Sequence, residues 1–363
     1  MRAPVLFEPR TPLKVLEVEL LPPRSGEVMV GMVASGVCHT CLHVMDGSLG
    51  GMRMPTVLGD EGAGVVKAVG PDVTSVVVGD HVIISWAPAC GRCRQCANAR
   101  PALCERRPPQ GRLADGTVRM RYGDQDVYHF GPATYASEMV LPESCVVPIR
   151  GDMPLEPAAL IGCSVATGVG AVVNTAKVPA GASVIVFGAG GIGLNVIQGA
   201  RLAGAYPIVA VDVLRPKLEQ ARAFGATHVV DASTENVSQA VEAACRGGIE
   251  FAFVTIGRGD VIAQAWSSLA PAGMCVILGR LPSGESLTID PERLYGRENK
   301  LVGSRYGSSR PFDDFPRLVE LYLGGKLLLD ELITRRYELD EINEAHRALA
   351  AGELARGLLV YGR

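Results

Sequence analysis

The chain has 363 residues, 48% hydrophobic and 20% charged, with 35 Lys+Arg against 38 Asp+Glu for a formal charge of -3. That length predicts two or three domains with a sizeable core, and the composition excludes a mainly disordered chain and offers no basic excess for a nucleic-acid or anionic-membrane partner. Ten cysteines are too few for a disulfide scaffold, and four of them fall between Cys90 and Cys104, which points to metal chemistry in a reducing compartment. At the N-terminus, MRAPVLFEPR sets Pro4, Glu8 and Pro9 where a secretory leader needs an apolar run, so a cytoplasmic protein is expected. EVMVGMVASG, GAGVVKAVG, GDHVIIS and SEMVLPESCVVPI then read as short strands broken by tight turns, making residues 1 to about 155 an all-β region.

Two uncharged stretches, 157–176 and 178–200, are long enough to raise the question of a membrane span. Six glycines in the second turn it into a strand, SVIVF, followed by a turn and a helix, and a soluble α/β core is expected without a membrane partner. From Ser183 onward apolar strands alternate with amphipathic segments. SVIVF leads to GIGLNVIQGARLAG, PIVAVD to RPKLEQARAFG, HVVD to ENVSQAVEAACRGG and FAFVTI to DVIAQAWSSLAPAG, with MCVILG closing the series. This is the βαβ rhythm of a doubly wound parallel sheet. Two further helices, around FPRLVELYLGG and DEINEAHRALAAG, and a terminal strand, GLLVYG, end the chain.

Gly188-Ala189-Gly190-Gly191-Ile192-Gly193 is a G-x-G-x-x-G between a strand and a helix. The first glycine permits the tight turn, the second a close approach of the backbone to pyrophosphate, and the third close helix–strand packing. Asp212 ends the next strand, where a carboxylate accepts from the adenosine ribose hydroxyls and repels a 2′-phosphate. NAD(H) is therefore preferred to NADP(H), with Arg215 as the residue pulling the other way. Asp212 can also serve as N-cap of the RPKLEQ helix, and the two roles can coexist.

Cys90, Cys93, Cys96 and Cys104 have the spacing C-x2-C-x2-C-x7-C, which closes a fully ligated structural zinc site. Disulfides are disfavoured in the cytosol, and the bacterial iron–sulfur spacing closes with three residues rather than seven. Arg92, Arg94, Arg106 and Arg107 lie nearby to offset the negative charge of four thiolates. Cys145, Cys245 and Cys275 lie on strand or helix patterns and are expected as buried apolar fillers.

With a β-rich N-terminal half, a cysteine lobe and a later dinucleotide fold, the sequence resembles the zinc-dependent medium-chain alcohol dehydrogenases over essentially its whole length. The segment GRLADGTVRMRYGDQDVYHFGPATYASEM, 111–139, is similar to the longer, dimeric branch that includes the glutathione-dependent formaldehyde dehydrogenases. The resemblance implies an α/β protein with a GroES-like, β-rich catalytic domain over 1–164 carrying the zinc lobe at about 88–106. It further implies a Rossmann NAD-binding domain over 165–307, a C-terminal segment 308–363 that returns to the catalytic domain, and a homodimer acting on a small-molecule substrate.

The residues carry over one by one. Cys38 in GVCHT and Cys163 in LIGCSVATG match catalytic metal ligands, and Glu61 the glutamate behind the metal. His39 matches a pyrophosphate contact, Thr40 the hydroxyl beside the reacting oxygen, and His43 the end of a proton relay. Thr167 matches a packing residue for the nicotinamide, Lys217 a cofactor contact, Trp86 and Phe130 substrate-pocket walls, and Arg356 an arginine that reaches the cofactor and the surroundings of the metal. Zinc with an open position lowers the pKa of an alcohol so that hydride can pass to nicotinamide, and Thr40 and His43 offer the proton an exit. His43 could equally be an ordinary packed or surface histidine, and the two aromatics ordinary core residues.

Two positions depart from that pattern. The family's second ligand is a histidine in G-H-E-x-x-G, which here reads Gly59-Asp60-Glu61-Gly62-Ala63-Gly64, and the aspartate three after the first ligand is Cys41. A carboxylate has moved from beside the ligand to its place, so the two changes read as coupled. Three main outcomes are open: Asp60 binds zinc with Cys38 and Cys163, Cys41 binds it instead, or the catalytic metal is lost; a redox disulfide between Cys38 and Cys41 is a minor fourth. Three anionic ligands would make a poorer Lewis acid. An alcohol–carbonyl oxidoreductase is the leading expectation. A zinc-independent reductase of activated C=C or C=N bonds and a catalytically silent nucleotide-binding protein are the alternatives.

Overall fold

A computed structural model describes residues 1–108, 111–281 and 284–362. The chain divides into two compact units, Met1–Cys163 with Arg310–Arg363, and Ser164–Ser309.

In the first unit the strand Glu27–Gly36 is buried along most of its length and is the hub of a seven-stranded sheet. It pairs antiparallel with Gly62–Val69, Glu138–Pro142 and Arg356–Val360. The register decides what meets at its C-terminal end: Gly62 lies opposite Ser35, and Leu358 opposite Gly36. Residues near 37, 61 and 356, remote in sequence, are thereby gathered at one end of the sheet. A six-stranded sheet built around Arg2–Leu6 and Gln125–His129 completes this unit. Its buried side chains form a cluster that includes Cys38, Cys41, Cys163 and Tyr135, with Trp86 and Phe130 packed against it. The β-rich reading of 1–155 left out two short α-helices, Arg94–Ala97 in the cysteine lobe and His39–Met45, which begins immediately after Cys38.

The second unit holds six parallel strands in the order 228–231, 208–212, 184–187, 249–254, 269–277 and 300–303. Numbered along the chain this is 3-2-1-4-5-6, the doubly wound arrangement. Val184–Phe187 sits at its centre and every residue in it is buried, as an uninterrupted apolar run requires when helices cover both faces. Two expectations need correction. The helix in DVIAQAWSSLAPAG stops at Ser267, and LAPAG joins MCVI in one strand, Leu269–Ile277. Nor does MCVILG close the series, because Lys300–Gly303 adds a parallel strand at the edge.

Among the described residues one helix, Leu155–Ala176, is long and apolar enough to cross a membrane, and most of it is buried inside the protein. The stretch 178–200 is instead a loop, the strand Val184–Phe187 and the helix Gly191–Leu202. Cys145 and Cys275 are buried as expected, whereas Cys245 is only half-buried at the end of a helix.

Candidate active site and metal centres

The lobe cysteines converge. The sulfurs of Cys90, Cys93, Cys96 and Cys104 all lie within 4.8 Å of one another, and Cys93 Sγ is 4.0 Å from Cys104 Sγ. Tetrahedral zinc with thiolate bonds of ~2.3 Å needs sulfurs about 3.8 Å apart, so the four fit that ion. Charge compensation is more local than the arginine-rich sequence implies. Backbone N–H groups of Cys90 and Arg106 donate to Cys104 Sγ at 3.4 Å, and those of Cys96 and Glu105 to Cys93 Sγ at 3.5 Å. Arg94 turns to Glu105 at 3.7 Å, and the Arg107 guanidinium lies 6.0 Å from the Trp86 ring centre. Backbone donation to Cys93 from Cys96 and Glu105 lowers its thiol to about 6.

The second convergence is Cys38, Asp60 and Cys163, all buried, with donor atoms within 4.8 Å of one another. Cys38 ends the extended segment before the helix His39–Met45, Asp60 precedes the strand Gly62–Val69, and Cys163 lies in the long buried helix. Gly59 makes the placement of Asp60 feasible. Its φ is +112°, and a Cβ there would stand 2.5 Å from the Tyr135 nitrogen. Cys163 hydrogen-bonds Cys38 and holds that thiol well below its ordinary value, while the same bond raises Cys163. Burial, then the charges of Cys38 and Glu61, push the Asp60 carboxyl well up. Asp60 Oδ1 is buried with no hydrogen-bond partner among the described residues. Three crowded anionic donors and an orphaned carboxylate oxygen fit a divalent cation, which would let all three ionise together. Cys41 is buried but does not belong to this three-donor group.

Glu61 is fully buried, and its Oε2 lies 3.6 Å from Nη1 of the buried Arg356. Burial opposes the Arg356 charge, but Glu61, Cys38, Cys163 and Asp60 more than offset it and the guanidinium is held more firmly protonated. Gly36 makes room for this pair, since a Cβ there would fall 2.3 Å from Glu61 Oε2. Thr40 Oγ1 is 3.5 Å from Cys38 Sγ. His43, one turn further on, is half-exposed, with Nδ1 3.1 Å from Ser48 Oγ and 3.8 Å from Asp46. His39 is exposed, and Trp86 and Phe130 are half-buried against the cluster that contains Cys38 and Cys163. Sequence reasoning passed over Tyr135, fully buried, whose hydroxyl accepts from the Cys38 N–H at 3.4 Å. A lone aromatic almost a hundred residues from Cys38 carries no spacing signal.

In the second unit the glycines divide their work as expected. Gly188 has φ +93°, Gly190 faces open space, and a Cβ on Gly193 would lie 1.8 Å from the Gly188 carbonyl oxygen. The helix Gly191–Leu202 starts with no side-chain cap, leaving the first-turn amides around Gly191 and Ile192 available to an anion. Asp212 does not cap the next helix, whose N-cap is Leu214. Its Oδ1 accepts from the Val213 and Leu214 N–H groups at 2.8 and 3.0 Å, and Oδ2 from Ala189 N–H at 2.8 Å. The carboxylate thus ties the glycine turn to the strand end. Lys217 is half-buried on the helix Arg215–Phe224, and Arg215 is exposed and 3.7 Å from Glu219. Thr167 is buried on the segment Ala166–Gly170.

Residues 24–151 match the model of the alcohol dehydrogenase GroES-like domain, and residues 191–324 that of the zinc-binding dehydrogenases. The chain is 40% identical over 374 aligned positions to S-(hydroxymethyl)glutathione dehydrogenase of Paracoccus denitrificans, covering 99% of each. Among solved structures it is similar to an alcohol dehydrogenase zinc-binding domain protein from Burkholderia ambifaria, with a TM-score of 0.96 and 33% identity over 100% of this chain and 99% of that one. It is likewise similar to benzyl alcohol dehydrogenase from Acinetobacter calcoaceticus, with a TM-score of 0.95 and 32% identity over 99% of each. With two converging metal-donor sets, a dinucleotide turn and full-length kinship, the chain belongs to the zinc-dependent medium-chain alcohol dehydrogenase family and is an oxidoreductase that interconverts alcohols and aldehydes.

Proposed function

We propose that this dehydrogenase uses NAD(H) and a catalytic zinc held by Cys38, Asp60 and Cys163, with Cys90, Cys93, Cys96 and Cys104 holding a structural zinc. The observation that carries the catalytic assignment is the convergence of the three buried donors, including an Asp60 oxygen without a hydrogen-bond partner. Zinc there supplies a Lewis acid that eases loss of an alcohol proton. Thr40, beside Cys38, would accept that proton on its hydroxyl oxygen while handing its own to a ribose hydroxyl of the bound cofactor, and His43 would take it from the ribose and release it to solvent from its half-exposed ring. Glu61 and Arg356 set the charge behind the ligands. Arg356 is the cation that limits the excess of three anionic donors, which would otherwise weaken the acid.

Trp86 and Phe130 line the substrate side and exclude water. In the dinucleotide unit Gly188, Gly190, Gly191, Ile192 and Gly193 receive the pyrophosphate, and Asp212 the ribose. Oδ2 of Asp212 spends one bond on Ala189 and keeps acceptor capacity for a hydroxyl. His39, Thr167, Lys217 and Arg356 complete the cofactor contacts. The domain roles follow: residues 1–164 with 308–363 carry the chemistry, and 165–307 the dinucleotide. The similarity to an S-(hydroxymethyl)glutathione dehydrogenase makes hydroxymethyl thiol adducts the first substrates to try, beside simple primary alcohols. We further propose a cytoplasmic homodimer, a compartment that suits ten free cysteines.

Metal analysis of the purified protein tests the assignment. Two zinc ions per chain, falling to one in Cys163→Ala together with loss of NAD-coupled alcohol turnover, are expected. One zinc per chain with turnover unaffected by Cys163→Ala would overturn it. No observation favours reduction of activated C=C or C=N bonds.

A further inference from the structure

Beside the three donors lies a second buried group that the chemistry above does not use: Cys41, Tyr135 and His346. Its hydrogen bonds can be followed donor by donor. The Cys38 N–H donates to Tyr135 Oη at 3.4 Å, so the phenol's own proton must go elsewhere, and the Cys41 sulfur is hydrogen-bonded to it. The same sulfur also accepts from the N–H of Gly59, the residue before Asp60. With two donors aimed at its sulfur, Cys41 keeps its S–H for an acceptor, and the charge that weighs most on it is that of Asp60.

The framework around this chain of bonds is fixed. Tyr135 N–H donates to Leu58 O at 3.1 Å and Thr134 N–H to Gly59 O at 3.2 Å, so the backbone on both sides is tied to the segment that carries Asp60. His346 packs edge-on to Tyr135 with ring centres 5.6 Å apart, closing the far side of the phenol.

We propose that Tyr135 and Cys41 are positioning residues that hold the Asp60 carboxylate on the metal, through a directed chain from Cys38 N–H to the Tyr135 hydroxyl, the Cys41 thiol and Asp60. This rests on the reading of Asp60 as a ligand. A neutral thiol suits the position because a second carboxylate would add another buried anion to a site that already has four, Cys38, Asp60, Glu61 and Cys163, against one arginine. Groups that orient a metal ligand typically contribute 10- to 100-fold in metal affinity.

The test uses the full-length protein with cobalt in the catalytic site and zinc in the cysteine lobe. Tyr135→Phe keeps the ring and deletes only the hydroxyl; Cys41→Ala deletes the thiol; Cys41→Ser restores a group that both accepts and donates. Chelator competition and the visible ligand-field bands of cobalt are read in each variant, with retention of the lobe zinc as the folding control. Tyr135→Phe and Cys41→Ala are each expected to weaken cobalt binding by about 10- to 100-fold and to shift its bands. The double variant should do little more than either alone, as members of one chain do, and Cys41→Ser should recover part of the loss.

Unchanged affinity and bands in both single variants would overturn the positioning role, and if Tyr135→Phe does not fold, Cys41→Ala decides alone. Asp60→Ala separates the two readings. If it loses cobalt while the other variants keep it, only the positioning role fails; if Asp60→Ala itself binds cobalt with unaltered bands, Asp60 is not a ligand and both fail.

Discussion

Two buried side chains at the site respond differently to removal of their charge. Glu61 is one of four acidic groups around a single guanidinium, so Glu61→Gln leaves Arg356 facing Cys38, Asp60 and Cys163. Arg356→Met removes the one buried cation that faces Glu61, Cys38, Cys163 and Asp60 together and leaves their charges crowded. Breaking a buried pair costs about 3–5 kcal/mol when the surviving charge is uncompensated, so Arg356→Met is expected to reach that range and Glu61→Gln to fall clearly below it. Urea denaturation of protein that keeps the lobe zinc but has been stripped of catalytic metal measures both, and equal costs would contradict this account of the charges.

His346 gives a pH signature at the same scale. It is buried, neither ring nitrogen has a hydrogen-bond partner among the described residues, and burial followed by the charge of His39 lowers it to about 4. The unfolded chain takes up this proton near pH 6.5 and the folded one only near 4. Acid therefore favours unfolding: the contribution is absent above about pH 7 and grows as pH falls from 6.5 towards 4, to about 3 kcal/mol. His346→Phe should flatten the stability–pH curve in that window, and an unchanged slope would assign the acid sensitivity to other groups. The lobe cysteines and the glycine motif were legible in the sequence because each carries its own spacing, whereas Cys38, Asp60 and Cys163 stood out only through the family resemblance. Tyr135 and His346 were not legible, because their roles come from contacts made across the fold: with Cys38 and Cys41 for the first, with Tyr135 for the second.

At the scale of elements, the glycine turn separates packing from recognition. Gly193→Ala drives a methyl to 1.8 Å from the Gly188 carbonyl oxygen, forcing the helix Gly191–Leu202 away from the strand Val184–Phe187. A loss of about 1–3 kcal/mol of stability is expected, together with loss of dinucleotide binding. Gly190→Ala meets no atom within 4 Å, so stability should change by less than about 1 kcal/mol while NADH affinity falls at least roughly 10-fold, because the methyl occupies the path of the pyrophosphate. Calorimetric titration with NADH and thermal melts of the two variants distinguish the effects, and normal affinity in Gly190→Ala would move the phosphate site elsewhere. Most βαβ elements were readable because apolar strands and amphipathic helices have different periods. LAPAG was misread because Pro271 and Gly273 look like loop punctuation, yet these residues continue a nine-residue strand. The strand Ile333–Tyr337, with three exposed residues in ITRRY, has too little apolar signal to stand out and forms by pairing with Arg356–Val360.

For the whole molecule, the two units hold different ligands, and this makes their stabilities separable. Both sets of metal donors lie in the unit Met1–Cys163 with Arg310–Arg363, whereas the glycine turn and Asp212 lie in Ser164–Ser309. A ligand that binds only folded protein stabilises the part that binds it, by about 2.7 kcal/mol at a free concentration 100 times its dissociation constant. The cysteine lobe is the more demanding case: it has only a four-residue helix and a single 3-10 turn, so its shape depends on the metal that closes it. Differential scanning calorimetry should show two transitions. Removing zinc with a strong chelator, or replacing Cys104 by Ser, is expected to lower the one belonging to the metal-holding unit, while NADH, whose glycine turn and Asp212 lie in the other unit, raises that other transition by more than the first. A single transition shifted by both treatments would mean that the units unfold as one cooperative body, and the separate ledgers of metal and dinucleotide binding would then have to be combined.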